Sequence, residues 1–240
     1  LELTRRLLER RPVAGIAGLR IRATREEEPV PVPAPLDLAA LPLPAWDLVD
    51  LRDYQGRPWQ LVRRGRRIAP LLTTRGCPFR CVYCAQRGIS GGSFRLRPVE
   101  RVLDEAEWLH REFGADEFQI VDDAFNVNLD HAKAVLEGLL RRDIRVAWKT
   151  PNGIRADLWD PEFVQLVRRT GGYEIGFGIE SGDEEILRRA DKPTDLERTR
   201  EAIQAFSDEG ISTFGCFIVG LPGETRDSIR RSIRFATRSR

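Results

Sequence analysis

Three cysteines stand within eight residues of one another in "TTRGCPFRCVYCAQ": Cys77, Cys81 and Cys84, spaced C-x3-C-x2-C. Thiols this close suit a metal or cluster. A disulfide framework instead spreads an even number of cysteines along a small secreted chain. An iron–sulfur cube ordinarily takes four thiolates. Three would leave one iron open to a small chelating molecule, by the logic that separates open catalytic metal sites from closed structural ones. Gly76 and Pro78 suit a short, tightly shaped loop around such a cube. The rival is zinc, which wants four ligands, usually as C-x2-C or C-x2-H pairs. It would have to recruit Cys216, the fourth cysteine, or one of the two histidines, His110 and His131. Both histidines fall in predicted helices and should face outward, and Cys216 reads as a small buried strand residue.

The elements that must position this loop form a repeating pattern from Ile68 onward. "IAPLLTTRG" reads as a strand running into the cysteines, and "VERVLDEAEWLHREFG" as a helix stopped at Gly114. "EFQIVDDAF", "IRVAWKTPNG", "YEIGFGIES" and "ISTFGCFIVG" read as further strands, each followed by a helical stretch. Asp160 and Pro161 sit where an N-cap and a first helical position belong. Five strand–helix units in series predict a parallel sheet with right-handed crossovers, either open or rolled into a barrel. In both architectures the site lies at the C-terminal ends of the strands. Each strand end carries an unusual group there: the cysteine loop, then "DDAFN", "TPNGIR", "ESGD" and "GLPGE". Residues 1–66 differ. A run of prolines from Pro29 to Pro44 forbids a regular helix or central strand and predicts an extended linker that docks on a surface. The apolar stretch 13–23 before it could finish a strand.

Composition narrows the classes. The chain has 240 residues, 41% of them hydrophobic and 32% charged, with a net charge of +2. That suits a globular protein and leaves no concentrated positive charge for nucleic acid. Only three of its 39 basic residues are lysines, and the arginines interleave with acids along helical stretches as solvated faces. No apolar run is long enough to span a membrane and no secretory signal is present, so a cytoplasmic location is expected. The chain starts at Leu1 and has no methionine, which points to a piece of a longer protein.

C-x3-C-x2-C with an aromatic just before the last cysteine, at the end of the first strand of a repeating βα chain, resembles the radical S-adenosylmethionine superfamily. The resemblance covers residues 67–240. It implies an α/β fold, a partial (β/α) TIM-like barrel of parallel strands with five of about six βα units, preceded by the Pro-rich segment. In that family a [4Fe–4S] cluster on the three cysteines binds S-adenosylmethionine at its open iron. One electron cleaves the sulfonium, giving methionine and a 5′-deoxyadenosyl radical that abstracts hydrogen from a small-molecule substrate. A donor such as flavodoxin or ferredoxin supplies the electron.

The family's other positions carry over residue by residue. Tyr83 would contact adenine. Asp122 or Asp123 would accept from the methionine amino group; "VDDAF" departs from the common Gly-Gly-Glu there, which leaves open which aspartate acts. Asn152 and Arg155 stand at the third strand end, with Arg155 suited to a carboxylate. Glu180 and Ser181 would meet the ribose and methionine moiety, and the backbone around Ile218 and Gly220 would receive adenine. The segment 1–66 is similar to the region between a cobalamin-binding Rossmann-like domain and a radical domain, which implies cobalamin in the fuller protein. The Asp-x-His-x-x-Gly cobalamin motif is absent, so that reading rests on the linker alone. The alternatives are a methylthiotransferase-like or coproporphyrinogen-oxidase-like enzyme without cobalamin, sharing "GIESG" and "VGLPGET", and a non-catalytic zinc or iron–sulfur module.

Overall fold

The computed structural model describes residues 2–16, 19, 36–54, 64–90 and 92–239. The chain divides into two compact units, Leu1–Asp37 and Leu38–Arg240. In the first, helix α1 (Glu2–Leu8) is stitched by Arg6, whose Nε donates to Glu2 at 2.6 Å one turn earlier. The strand expected at 13–23 lies mostly outside the described residues, as do the prolines from Pro29 to Pro35.

The second unit alternates strand and helix. Its elements are β1 (Ile68–Leu71), β2 (Thr74–Arg75), α2 (Gln86–Ser90), β3 (Arg95–Leu96), α3 (Val99–Arg111), β4 (Glu117–Ile120), α4 (Leu129–Arg141) and β5 (Ala147–Ile154). There follow α5 (Pro161–Arg169), β6 (Gly172–Glu180), α6 (Glu184–Arg189), α7 (Leu196–Asp208), β7 (Ser212–Phe217) and α8 (Arg226–Arg238). Five strands form one parallel sheet in the order β1-β4-β5-β6-β7, and β2 pairs with β3 in a small antiparallel ribbon. The strand order follows the chain order, as successive right-handed crossovers demand. The fold is α/β, and among the described residues β1 and β7 are the outermost strands of an unclosed barrel.

Helices form because their apolar residues recur at helical spacing and their ends are capped. In α4, Ala132, Val135, Leu136 and Leu139 are buried, and the Asn128 side chain accepts from the N–H of His131. Asp160 caps α5 by accepting from Phe163 N at 2.8 Å, with Pro161 at the first helical position, as the sequence predicts. These stripes pack on one face of the sheet, supplied by Ala69, Leu71, Phe118, Ile120, Ile175, Phe177 and Ile179. Alternate residues look the other way. Along that second face the register sets Gln119 beside Lys149, Lys149 beside Glu174, and Gly178 beside Cys216.

Both histidines depart from expectation, because each finds a backbone carbonyl. His131 is buried, and its Nε2–H donates to the Arg97 carbonyl at 2.8 Å. His110 Nδ1–H donates to the Ala115 carbonyl at 2.8 Å. Cys216 also departs: it is exposed on the second face of β7, not buried in a core.

Candidate functional site

The chain leaves β1 through Thr73 and Thr74 and turns at Gly76 into the cysteine loop. Gly76 has φ +88°, and a Cβ there would lie 2.0 Å from the Ser93 carbonyl oxygen, so only glycine fits this turn. Cys77, Cys81 and Cys84 are all free thiols, the last exposed. The Cys84 N–H donates to the Cys81 carbonyl at 3.0 Å, a tight turn that brings the C-x2-C pair round. Burial pushes the Cys77 thiol up, and the charges of Cys81, Cys84 and Asp123 add to that, so the three sulfurs sense one another. Among the described residues no three His, Cys, Asp or Glu side chains converge on the coordination sphere of one ion. Three thiols on one loop, with the fourth cysteine, Cys216, on β7, match a cube that leaves one iron open better than a four-ligand zinc site.

The loop is clamped from successive strand ends. After β4, Asp123 accepts from Gly76 N at 2.9 Å. After β5, the Arg155 guanidinium lies over the Phe79 ring at 4.3 Å. After α6, the Ala190 carbonyl accepts from Val82 N at 3.0 Å. At the end of β6, Glu180 lies close enough to the Tyr83 hydroxyl to act on it. The tyrosine hydroxyl is driven well above its ordinary range, first by burial, then by the charges of Glu180 and Cys81.

The structure separates the two aspartates of "VDDAF". Asp122 is 1% exposed and its carboxylate is fully engaged. It accepts from Thr73 N at 2.6 Å, from the Thr73 hydroxyl, and from the Thr74 hydroxyl at 2.9 Å. Burial pushes its carboxyl up despite those donors. Asp123 is less buried and spends one oxygen on Gly76. Asn152 is exposed and bridges strands, its Nδ2 donating to the Val121 carbonyl at 2.9 Å.

Arg155 forks onto Asp157 through Nε at 2.9 Å and Nη2, and Nη2 also reaches the Pro193 carbonyl at 3.0 Å. Its Nη1 is buried with no hydrogen-bond partner. A buried guanidinium N–H left over at a strand end is suited to an incoming carboxylate. Asn126, absent from the predicted site, holds this arginine in place. Its amide accepts from Arg155 N at 3.0 Å and donates to the Arg155 and Leu158 carbonyls, both at 2.6 Å.

Glu180 and Ser181 part company. Glu180 has φ +65°, a left-handed backbone unusual outside glycine. Its carboxylate takes Lys192 Nζ at 2.8 Å, and the same ammonium donates to the Gly178 carbonyl at 2.7 Å. A Cβ on Gly178 would come within 2.7 Å of Glu180 Oε1 and 3.0 Å of Lys192 Nζ, so the glycine makes room for the pair. Cys216, the neighbour of Gly178 across the ladder, has its thiol pushed up by burial and by Glu180, with Lys192 opposing. Ser181 is fully buried and turned to α8, 3.2 Å from the Ser232 hydroxyl. Ile218 N donates to the Glu180 carbonyl at 2.9 Å, and exposed Gly220, φ +100°, donates to Glu224. The strand ends thus gather Tyr83, Asp123, Arg155 and Glu180 round the cysteines. They assign Asp122 and Ser181 to buried supporting roles.

Comparisons with known proteins bear on the family and the fold. A model of the radical SAM superfamily matches residues 71–236. Cytidylyl-2-hydroxyethylphosphonate methyltransferase of Streptomyces wedmorensis is 32% identical over 213 residues, 83% of this chain and 39% of that protein. An uncharacterized methyltransferase of Pyrococcus horikoshii is 29% identical, covering 98% of this chain and 50% of its own length. In fold, the chain is similar to a radical S-adenosylmethionine methyltransferase from Kitasatospora setae solved with cobalamin and a [4Fe–4S] cluster. That match has a TM-score of 0.78 at 24% identity, covering 99% of this chain and 47% of the other. The chain spans about half the length, or less, of these proteins.

Proposed function

This chain belongs to the radical SAM superfamily, and from that premise we propose that the protein containing it cleaves S-adenosylmethionine reductively to start radical chemistry on a small molecule. The observation that carries the reading is the cysteine trio itself, set in one loop that is clamped at the C-terminal ends of the strands. When bound, a [4Fe–4S] cluster supplies the electron and an open iron for S-adenosylmethionine.

The chain's own residues bind, orient and exclude water. Cys77, Cys81 and Cys84 would hold the cluster as thiolates. Asp123 and the Phe79–Arg155 stack keep the loop's backbone in one shape. The spare Nη1 of Arg155 is the donor offered to a carboxylate. Tyr83 stands between Cys81 and Glu180, and the Ile218–Gly220 backbone lines the next strand end. Lys192 pairs with the Glu180 carboxylate and fixes its direction.

The test uses full-length, anaerobically reconstituted protein reduced with dithionite. It should hold iron and sulfide near cube stoichiometry and form 5′-deoxyadenosine, and replacing any of Cys77, Cys81 or Cys84 with Ala should abolish both. A colourless protein carrying one zinc would sink the proposal.

We extend it to a cobalamin-dependent methyltransferase, supported by the methyltransferase relatives and the Pro-rich segment. Full-length protein reconstituted with hydroxocobalamin should keep a corrinoid spectrum after desalting. Loss of that spectrum returns the reading to an enzyme without cobalamin.

A further inference from the structure

The strand that feeds the cysteine loop is held from a second side by residues the proposed chemistry does not use. Arg97, just past β3, lies beside the segment Leu72–Thr74. Its backbone N–H donates to the Thr73 carbonyl at 3.0 Å and its Nη1 donates to the Leu72 carbonyl. Its Nη2 pairs with Oε2 of Glu105 in α3, with the two side chains 12% and 2% exposed. The other oxygen of Glu105 accepts the indole N–H of Trp46 at 2.9 Å. Trp46 opens a short 3-10 turn in the segment that follows the Pro-rich run, and it packs against the core. His131 fixes the far side of Arg97 by donating to its carbonyl.

Each group in this line has a reason to be sensitive to the next. A carboxylate this buried must have both oxygens satisfied, and Trp46 is the partner of one of them. Glu105 in turn orients the guanidinium fork, which is rigid and planar, so a turn of one donor moves the other. That other donor grips Leu72, five residues before Cys77. On the opposite side, Asp122 grips Thr73 and Thr74. The entry to the cysteine loop is therefore held between two buried carboxylates, and one of them is completed by the linker.

We infer that Trp46, through Glu105 and Arg97, is a positioning residue for the cluster loop, so that seating of the linker sets how the cysteines present their cluster to S-adenosylmethionine. This rests on the proposed function for its readout. It goes beyond that reading by assigning a role to a linker residue whose polar contact is Glu105.

The experiment titrates S-adenosylmethionine against the reduced, full-length, cluster-loaded protein in samples mixed on ice and frozen before turnover, and follows the change in the cluster's electron paramagnetic resonance spectrum at cryogenic temperature. Trp46→Phe keeps an aromatic side chain, smaller than the indole, and removes the N–H, and Glu105→Gln weakens the grip on Arg97. Both should load iron as the wild type does and raise the titration midpoint about fivefold, the scale of one weakened charged hydrogen bond. The double variant should go no further than Glu105→Gln alone, since Trp46 acts through Glu105. A Trp46→Phe midpoint within twofold of the wild type overturns the inference, as does a double variant equal to the product of the singles. If Glu105→Gln does not fold, Trp46→Phe decides alone. A wild type that loads no cluster, or shows no spectral response to S-adenosylmethionine, sinks the proposed function instead, so the two failures are distinguishable.

Discussion

Two glutamates stand on parallel strands at opposite ends of the sheet. Glu117 opens β4 at the N-terminal end, fully buried, and its oxygens accept from Arg64 N and Gly65 N at 2.7 Å and from the Tyr173 hydroxyl at 2.8 Å. It fastens the chain's entry into the barrel unit to the sheet, with ordinary backbone throughout. Glu180 closes β6 at the other end with a left-handed φ, one buried ammonium on one oxygen, and Tyr83 of the cysteine loop within reach. The first glutamate is saturated by neutral donors and unstrained. The second is strained, paired with a charge and turned toward the candidate site. Strain at a strand end persists only where the surroundings enforce it, and in parallel α/β folds that end carries the chemistry.

This contrast can be broken by exchanging the damage. Glu117→Ala leaves two backbone N–H groups and a buried phenol without their acceptor. Chemical denaturation should show a stability loss of about 3 kcal/mol or more. The folded fraction should still cleave S-adenosylmethionine at the wild-type rate per cluster. Glu180→Gln keeps the side chain's shape and a contact for Lys192, so its thermal midpoint should move by less than about 4 °C. Its rate of 5′-deoxyadenosine formation at low S-adenosylmethionine should fall roughly tenfold. If Glu180→Gln cleaved at the wild-type rate and lost only stability, the two glutamates would both be fasteners and the strain at β6 would carry no function.

Much of this was legible in the residues, for reasons that also explain the rest. The cysteine loop, the strand–helix alternation and the Asp160–Pro161 helix start are encoded by spacing a few residues long, and local signals survive folding. The misplacements involve partners brought close by the crossovers. Nothing near Ser181 in the chain tells that Ser232 on α8 will take its hydroxyl. Nothing near His131 announces the Arg97 carbonyl. Lys192 left a trace, being one of three lysines in a chain that otherwise uses arginine. Each of the three sits in a carboxylate pair: Lys133 with Asp160 and Glu162, Lys149 with Glu174, and Lys192 with Glu180. A compact ammonium fits beside a strand end where a planar guanidinium needs a wider slot. Of the paired aspartates, only burial could tell which was the support.

The smallest expected effect sharpens the contrast without touching turnover. Cys216 lies beside Gly178 on the sheet's second face, where desolvation and then the charge of Glu180 hold its thiol up and Lys192 pulls it down. Thiolate, not thiol, reacts with iodoacetamide, so the alkylation rate at pH 8 reads the balance of those two charges. Removing the carboxylate's charge in Glu180→Gln leaves the ammonium to act alone. The thiol's midpoint then falls, the thiolate fraction at pH 8 rises, and the Cys216 peptide should be modified about two to three times faster by mass spectrometry. Glu117→Ala should leave that rate unchanged once corrected for its unfolded fraction, because Glu117 does not contribute to the Cys216 shift. Equal acceleration in both variants would mean that the thiol responds to general loosening of the sheet, and the electrostatic distinction between the two glutamates would fall with it.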